Sequence, residues 1–240
     1  MIHKKRLSIK IAVGCIISLF SYQSPSFCMI GDEDLAQHSV KVAHNPMFPA
    51  TSMPDADWWH TLWPDPKGVI LSLGVKKEST SIDLCCGDGY FTFPLAEVSS
   101  KVYGIELDAD LLEQARKEAE IRGLTNLHWI QGDAMKLSEL VPEPVDFVLI
   151  ANTFHGIPDK EAMSKSIFSI LKSEGELAII NWHKLPREET TALGLPRGPK
   201  SEMRMSPEEV EKTLLPSGFV LKSLVELPPY HYGAIFKKVE

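Results

Sequence analysis

The chain has 240 residues, 44% of them hydrophobic and 24% charged, with a net charge of −7 and an isoelectric point near 5.6. Its length and composition suit one α/β domain with an extended terminus, and the excess of acid argues against the basic face of a general nucleic-acid binder. The four cysteines, at 15, 28, 85 and 86, have no zinc-site spacing, and adjacent Cys85 and Cys86 are poorly placed to bridge, which argues against a metal centre or a disulfide scaffold.

At the start, His3, Lys4, Lys5, Arg6 and Lys10 are followed by an apolar run over 11–20 and a small, polar stretch from Ser21 to Cys28. This layout predicts a signal peptide over residues 1–28, cleaved after Ser26 or Cys28, and so a protein exported to a periplasm or medium. The apolar run is too short to span a bilayer, so no stable membrane span is expected. The competing reading is translation from Met29 and a cytoplasmic protein. Residues 29–66 carry prolines at 46, 49, 54, 64 and 66 without sustained periodicity, which reads as an irregular arm. Trp58, Trp59 and Trp63 cluster there with His60.

Lys67–Val75 predicts a short amphipathic helix. Ile82 and Leu84 then lie in a β-prone run too short for a helix, ending in Gly87-Asp88-Gly89, with helical spacing resuming at Phe91, Pro94, Leu95 and Ala96. A strand, a glycine turn and a helix in succession let backbone N–H groups approach a ligand with no Cβ in the way. Asp83 falls at the carboxyl end of that strand, where open α/β sheets bind ligands.

The second strand, Lys101–Leu107, ends on Glu106. Asp108 caps a helix over Ala109–Arg122, which has Leu111, Leu112, Ala115 and Ala119 at helical spacing and Gly123 as its stop. Asn126–Ile130 is a third strand, leading into Gly132-Asp133-Ala134. Val145–Ala151 is a fourth, ending in Asn152-Thr153-Phe154-His155-Gly156. A helix from Asp159 to Lys172, with Gly175 just past it, precedes a fifth strand at Glu176–Trp182. A long connection follows, carrying Arg187, Arg197 and Arg204 beside Glu188, Glu189 and Glu202. Long ordered loops of this kind are often functional. Ser206-Pro207-Glu208-Glu209 opens a capped helix ending near Gly218, and Val220–Leu227 with His231–Lys238 read as an antiparallel hairpin around Pro228-Pro229. Alternating strands and helices imply a parallel sheet covered on both faces.

Asp83-Leu84-Cys85-Cys86-Gly87-Asp88-Gly89 resembles the first motif, Asp-x-Gly-x-Gly-x-Gly, of the class I S-adenosylmethionine-dependent methyltransferases, with Cys85 where the first glycine stands. The terminal hairpin is similar to the sixth and seventh strands of that family. The resemblance implies an α/β, Rossmann-like fold over residues 67–240: a seven-stranded, mostly parallel sheet with a C-terminal antiparallel hairpin. It also implies an enzyme with S-adenosyl-L-methionine as cofactor. Asp83, Cys85 and the amides near Gly87 and Gly89 would then hold its methionine end. Glu106, about twenty residues past the turn, would accept the ribose hydroxyls, with Leu107 beside it; the other reading of Glu106 is a surface acid at a helix start. Asp133 and the Ala134 N–H would meet the adenine, although Asp133 is also placed to cap the next turn.

Asn152 and His155 lie on the loop that in this family sits beside the transferable methyl. His155 is a candidate base or orienting group, against a structural role in holding the loop. Methyl transfer itself does not demand a base, because alignment of the reacting atoms supplies much of the help. Arg187, Arg197 and Arg204 are candidates for an anionic group on a small-molecule acceptor, against pairing with the nearby glutamates. The tryptophan arm reads either as a lid, as such arms often are in this family, or as an anchor.

Two other functions compete. A nicotinamide-dependent Rossmann enzyme wants a third glycine that falls here on Thr92 or Tyr90, so it fits less well. A binder of the same cofactor without turnover is the other, motivated by the signal-like start. An enzyme acting on nucleic-acid bases fits poorly: no basic run is present, and no Asn-Pro-Pro-Tyr motif follows the fourth strand.

Overall fold

The computed structural model describes residues 56–239; the predicted signal peptide, and the predicted arm up to residue 55, lie outside the described residues. The described chain opens with α1 (Ala56–Leu62) and α2 (Pro66–Ser72). Pro66 occupies the first position of α2, where its missing N–H is no loss, and the Asp65 carboxylate accepts from the Gly68 N–H. There follow β1 (Thr80–Leu84), α3 (Thr92–Val98), β2 (Lys101–Glu106), α4 (Ala109–Ile121), β3 (Leu127–Gln131), α5 (Leu137–Leu140), β4 (Val145–Ala151), α6 (Lys160–Ile170) and β5 (Leu171–Trp182). After a small ribbon of β6 (Thr191–Ala192) and β7 (Leu195–Pro196) come α7 (Pro207–Leu214), β8 (Phe219–Leu227) and β9 (His231–Lys238).

Seven strands form one sheet in the order β3-β2-β1-β4-β5-β9-β8. β1 to β5 run parallel, β9 runs antiparallel to β5, and β8 antiparallel to β9, as the sequence pattern and the family resemblance led one to expect. The order of connection reverses between β1 and β4, and the loops leaving their carboxyl ends open a crevice there.

Period-two alternation divides the strands between two cores. Ile82, Leu84, Val148, Ile150, Leu177 and Ile179 face α5, α6 and α7 through Leu137, Met163, Ile167, Val210 and Leu214. Phe147, Leu149, Ala178 and Ile180 face α1, α2 and α3 through Trp59, Leu62, Ile70 and Leu95. Strands buried on both faces read as continuous apolar runs, which is why β4 was so plain in the sequence.

Most helix ends fall where capping residues put them. Asp108 accepts from the Asp110 and Leu111 N–H groups, and Ser206 and Glu209 form a reciprocal capping box. The largest departure is at the start of β5. The expected helix to Lys172 stops at Ile170, because Leu171 is drawn into the ladder opposite Val145. The register then shifts so that Phe147 pairs with Glu176, leaving Lys172–Gly175 as a tight excursion. Gly175 belongs there because a Cβ would come within 2.8 Å of Leu171 Cδ2 and 2.9 Å of the Lys172 carbonyl.

Candidate functional site

Parallel register brings the carboxyl ends of β1, β2 and β3 to one edge, with Leu84 opposite Ile105 and Glu106 opposite Gln131. The chain leaves β1 through Cys85, Gly87 and Gly89, all with positive φ (61°, 57° and 92°). Gly89 has a second constraint, since a Cβ would lie 2.6 Å from the Phe93 ring. The turn carries the Gly87 N–H to 2.9 Å from Glu106 Oε2, while the Leu107 and Asp108 N–H groups donate to Oε1 at 2.8 and 3.1 Å. Glu106 therefore joins the glycine turn to the end of β2. Beyond it, the Gly132 N–H donates to the Glu106 carbonyl at 3.0 Å and ties in the β3 loop.

Three carboxylates converge on this edge around Cys85. Burial is the first cause that raises the Cys85 thiol above its ordinary range, and Glu106, Asp83 and Asp133 all act in the same direction. Asp83 is only 2% exposed, and its Oδ2 accepts from Thr92 Oγ1 at 2.6 Å. Burial pushes its carboxyl up to about 7, with Glu106 adding and the Thr92 hydrogen bond opposing. Asp133 accepts from the Met135 N–H at 2.9 Å, so the capping role weighed for it is present. Ala134 begins that short turn, where a backbone N–H has no acceptor within the helix. Leu107 is 47% exposed at the end of β2, an apolar surface beside the acids.

No described ion pair includes Asp83, Glu106 or Asp133. Among the described residues no cluster of His, Cys, Asp and Glu is arranged to hold a metal. An acidic crevice with open N–H groups and one exposed apolar side chain suits a cationic ligand that carries hydroxyl and amino donors and a flat ring. S-adenosylmethionine has that chemistry.

The loop after β4 continues the edge. Asn152 takes φ 58°, its N–H donates to the Ile180 carbonyl at 2.9 Å, and both polar atoms of its side chain are buried without a partner among the described residues. Orphaned atoms of this kind call for a ligand or water. His155 places Nδ1 3.1 Å from Asn181 Oδ1, and burial, then Lys160 and Arg204, pull its basicity below the usual imidazole range. Lys160 donates to the His155 and Ile157 carbonyls at 3.2 and 2.7 Å and holds the loop down. His155 also lines an open cleft of about 570 Å³ with Lys160, Lys184, Met203, Met205 and Lys212.

The arginines of the long connection are placed differently from one another. Arg187 is exposed and donates to the Gly198 carbonyl at 3.0 Å; Arg197 lies over the Trp58 ring at 4.9 Å. Neither lines the cleft. Arg204 is 2% exposed and wholly committed, donating to the carbonyls of Pro199, Leu185 and Arg197 and to Thr190 Oγ1. The three tryptophans are buried: Trp63 meets Phe91 edge to face and His231 at a tilt, and its carbonyl accepts from Tyr90 Oη at 2.7 Å. They fasten the start of the described chain to the glycine turn and to the loop after β5.

Sequence reasoning passed over Thr92, Thr153 and Asn181. Thr92 and Thr153 have no signal of their own. Asn181 does: it is the lone amide at the end of an otherwise apolar strand, Leu177 to Trp182.

Comparison with known proteins agrees with this geometry. A family profile described as "Methyltransferase domain" matches residues 75–214. A demethylmenaquinone methyltransferase of Geobacillus stearothermophilus is 30% identical over 112 residues, 45% of this chain and 47% of that protein. One from Lactococcus lactis is 29% identical over 146 residues, 60% of this chain and 55% of its own. The chain thus spans about half the length of the curated relatives it matches. Among solved structures, a SAM-dependent methyltransferase from Aquifex aeolicus superposes with a TM-score of 0.63 at 27% identity, covering 73% of this chain and 90% of that one.

Proposed function

This chain belongs to the methyltransferase-domain family, and on that premise we propose that it methylates a small-molecule acceptor with S-adenosylmethionine as the donor. The observation that carries the reading is that Asp83, Glu106 and Asp133 stand at the carboxyl ends of three neighbouring parallel strands, with the Gly87 and Gly132 N–H groups tied to Glu106 and no ion pair to these acids among the described residues. Asp83 and the amides of the glycine turn receive the amino-acid end, Glu106 the ribose, and Asp133, Ala134 and Leu107 the purine. Glu106 already accepts three N–H bonds, so about one of its lone pairs remains for a hydroxyl, and the Gly87 contact yields to a second.

When bound, the cofactor supplies an electrophilic methyl on a positively charged sulfur. The residues here act by placement: Asn152 offers both an amide donor and an acceptor beside the β4 loop, and the cleft next to His155 seats the acceptor. Met203 and Met205 give that cleft an apolar wall, and Lys160 and Lys212 bring positive charge beside Glu202 and the Lys184–Glu209 ion pair. Demethylmenaquinone, which the two relatives are named for, supports an apolar aromatic ring with polar substituents as the acceptor class. Lys160 and Lys212 are the better-placed partners for an anionic substituent, since Lys184 is paired with Glu209; Arg187 and Arg197 serve one only if the connection moves.

Calorimetry with S-adenosylmethionine tests the reading. Binding is expected, and Glu106→Ala should weaken it by about 2–4 kcal/mol, the value of one or two charge-assisted hydrogen bonds. Release of S-adenosylhomocysteine with a demethylmenaquinone analogue, against simple aromatic acids as controls, tests the acceptor class. A wild-type chain that binds no S-adenosylmethionine sinks the proposal.

A further inference from the structure

We propose that Asn181 is a positioning residue that fixes the tautomer of His155, leaving Nε2 as an unprotonated base facing an acceptor that must lose a proton. The catalytic half of this inference rests on the methyl-transfer reading above; the tautomer half does not.

Asn181 is 1% exposed, on the strand facing β9, where it pairs in register with Tyr232. The Tyr232 hydroxyl already donates, to the Met205 carbonyl at 2.8 Å. Its single proton is spent, so towards any other neighbour it can only accept. Asn181 stands opposite Tyr232 across the two strands, and a phenol oxygen that can only accept favours the amide's NH2 group over its carbonyl on that side. The amide sets Oδ1 3.1 Å from His155 Nδ1, and Nδ2 has no hydrogen-bond partner among the described residues.

An amide oxygen donates nothing. At 3.1 Å from Oδ1, His155 Nδ1 must carry the proton, and in the neutral ring Nε2 then holds the lone pair. Nε2 bonds to no described residue, and His155 lines the cleft. The groups facing the ring are Asn181 from β5, Lys160 from α6 and Arg204 from the long connection, the last two cations that disfavour an imidazolium. The structure holds two bonds of this set, Tyr232 Oη–H to the Met205 carbonyl and His155 Nδ1–H to Asn181 Oδ1, and the lone amide at the end of an apolar strand serves the second.

The acceptor class follows. A neutral imidazole with its lone pair free at the cleft suits a proton that is already acidic, as in a phenol, a quinol or an enol. The acceptor's O–H bond breaks, its proton passes to Nε2, and the bonding pair stays on the acceptor, which becomes the nucleophile. His155 returns the proton to water afterwards.

The test is long-range proton–nitrogen correlation NMR on the full chain labelled in histidine, with His155 assigned by the signal lost in His155→Gln. Wild type is expected to show protonated Nδ1 and unprotonated Nε2 at pH 7–8. Asn181→Leu should remove that preference, Tyr232→Phe should weaken it by freeing the amide to rotate, and Asn181→Asp should keep Nδ1 protonated while raising the pH at which the ring charges. With an acidic hydroxyl acceptor, Asn181→Leu should lower kcat about tenfold or more with the KM for S-adenosylmethionine unchanged. An Nε2–H tautomer in wild type overturns the proposal even if the variants fail to fold, and so does an Asn181→Leu spectrum identical to wild type. A chain with the expected tautomer that binds no S-adenosylmethionine leaves Asn181's role standing and removes the methyl-transfer reading instead.

Discussion

Burial holds the Asp83 carboxyl near pH 7, against 3.8 for an ordinary aspartate, and the sign of that shift has a consequence for stability. A folded-state pKa above the unfolded one means that the folded chain binds the proton more tightly. The associated stability is fully present below pH 3.8 and is lost as pH rises to about 7. The difference between 3.8 and about 7 corresponds to at most about 4 kcal/mol above neutral pH. Asp83→Asn should therefore raise the melting temperature of the ligand-free chain at pH 8 and flatten its decline between pH 4 and 7, while weakening S-adenosylmethionine binding; thermal scans across pH with calorimetry check both halves. Cys85 is the same kind of residue on a smaller scale. It sits at φ 61°, where a side chain costs about 1–2 kcal/mol, in a position the family motif gives to glycine. The motif's spacing located these residues, but their burial could not be read from it, because it depends on what α3 places over them.

At the scale of elements, the connection from β5 to α7 and the strand β9 are each governed by one buried basic side chain. Arg204 gathers three carbonyls and one hydroxyl from the connection and lies 5.1 Å from the Trp182 ring. Arg204→Lys keeps the charge but not the planar fork, and should cost about 2–3 kcal/mol, with faster amide exchange over 185–204 as the specific readout. The sequence offered Arg204 as an anion binder; its use as an internal fastener was illegible, since the acceptors are backbone carbonyls that no side chain announces. His231, on β9, is 1% exposed between Trp63 and Trp182, at 4.2 and 4.1 Å, with no partner for either ring nitrogen among the described residues. Burial, then His183 and Arg204, lower its basicity well below the usual 6.5. Here the unfolded chain binds the proton first, so stability falls as pH drops through 6.5. His231→Phe should remove that part of the acid sensitivity, as urea unfolding at pH 5 and pH 8 will show.

Over the whole molecule, the crevice gathers carboxylates from three strand ends on a chain that already carries a net charge of −7. A ligand that supplies positive charge there should stabilise the fold as a unit. S-adenosylmethionine at a hundred times its Kd adds about 2.7 kcal/mol, which for a domain of this size is roughly 5–10 °C in Tm by differential scanning calorimetry. A nicotinamide dinucleotide, anionic in its pyrophosphate, should leave Tm unchanged. No described helix is long and apolar enough to cross a membrane.

Much of this architecture was determined by the sequence alone: apolar period, capping residues and glycine stops act over a few neighbouring positions, so the succession of strands and helices along the chain, the glycine turn and the acid at the end of each of the first three strands were legible before any coordinates. Tertiary structure alone decided which partners those residues meet. Pairing of β5 with β9 set Asn181 beside Tyr232, packing buried Asp83 under α3, and the fold of the long connection turned Arg204 inward. The physical reason is range. Propensity and capping are local energies written in adjacent residues, whereas hydrogen-bond partners and desolvation are fixed by groups far apart in the chain, and no local pattern encodes them.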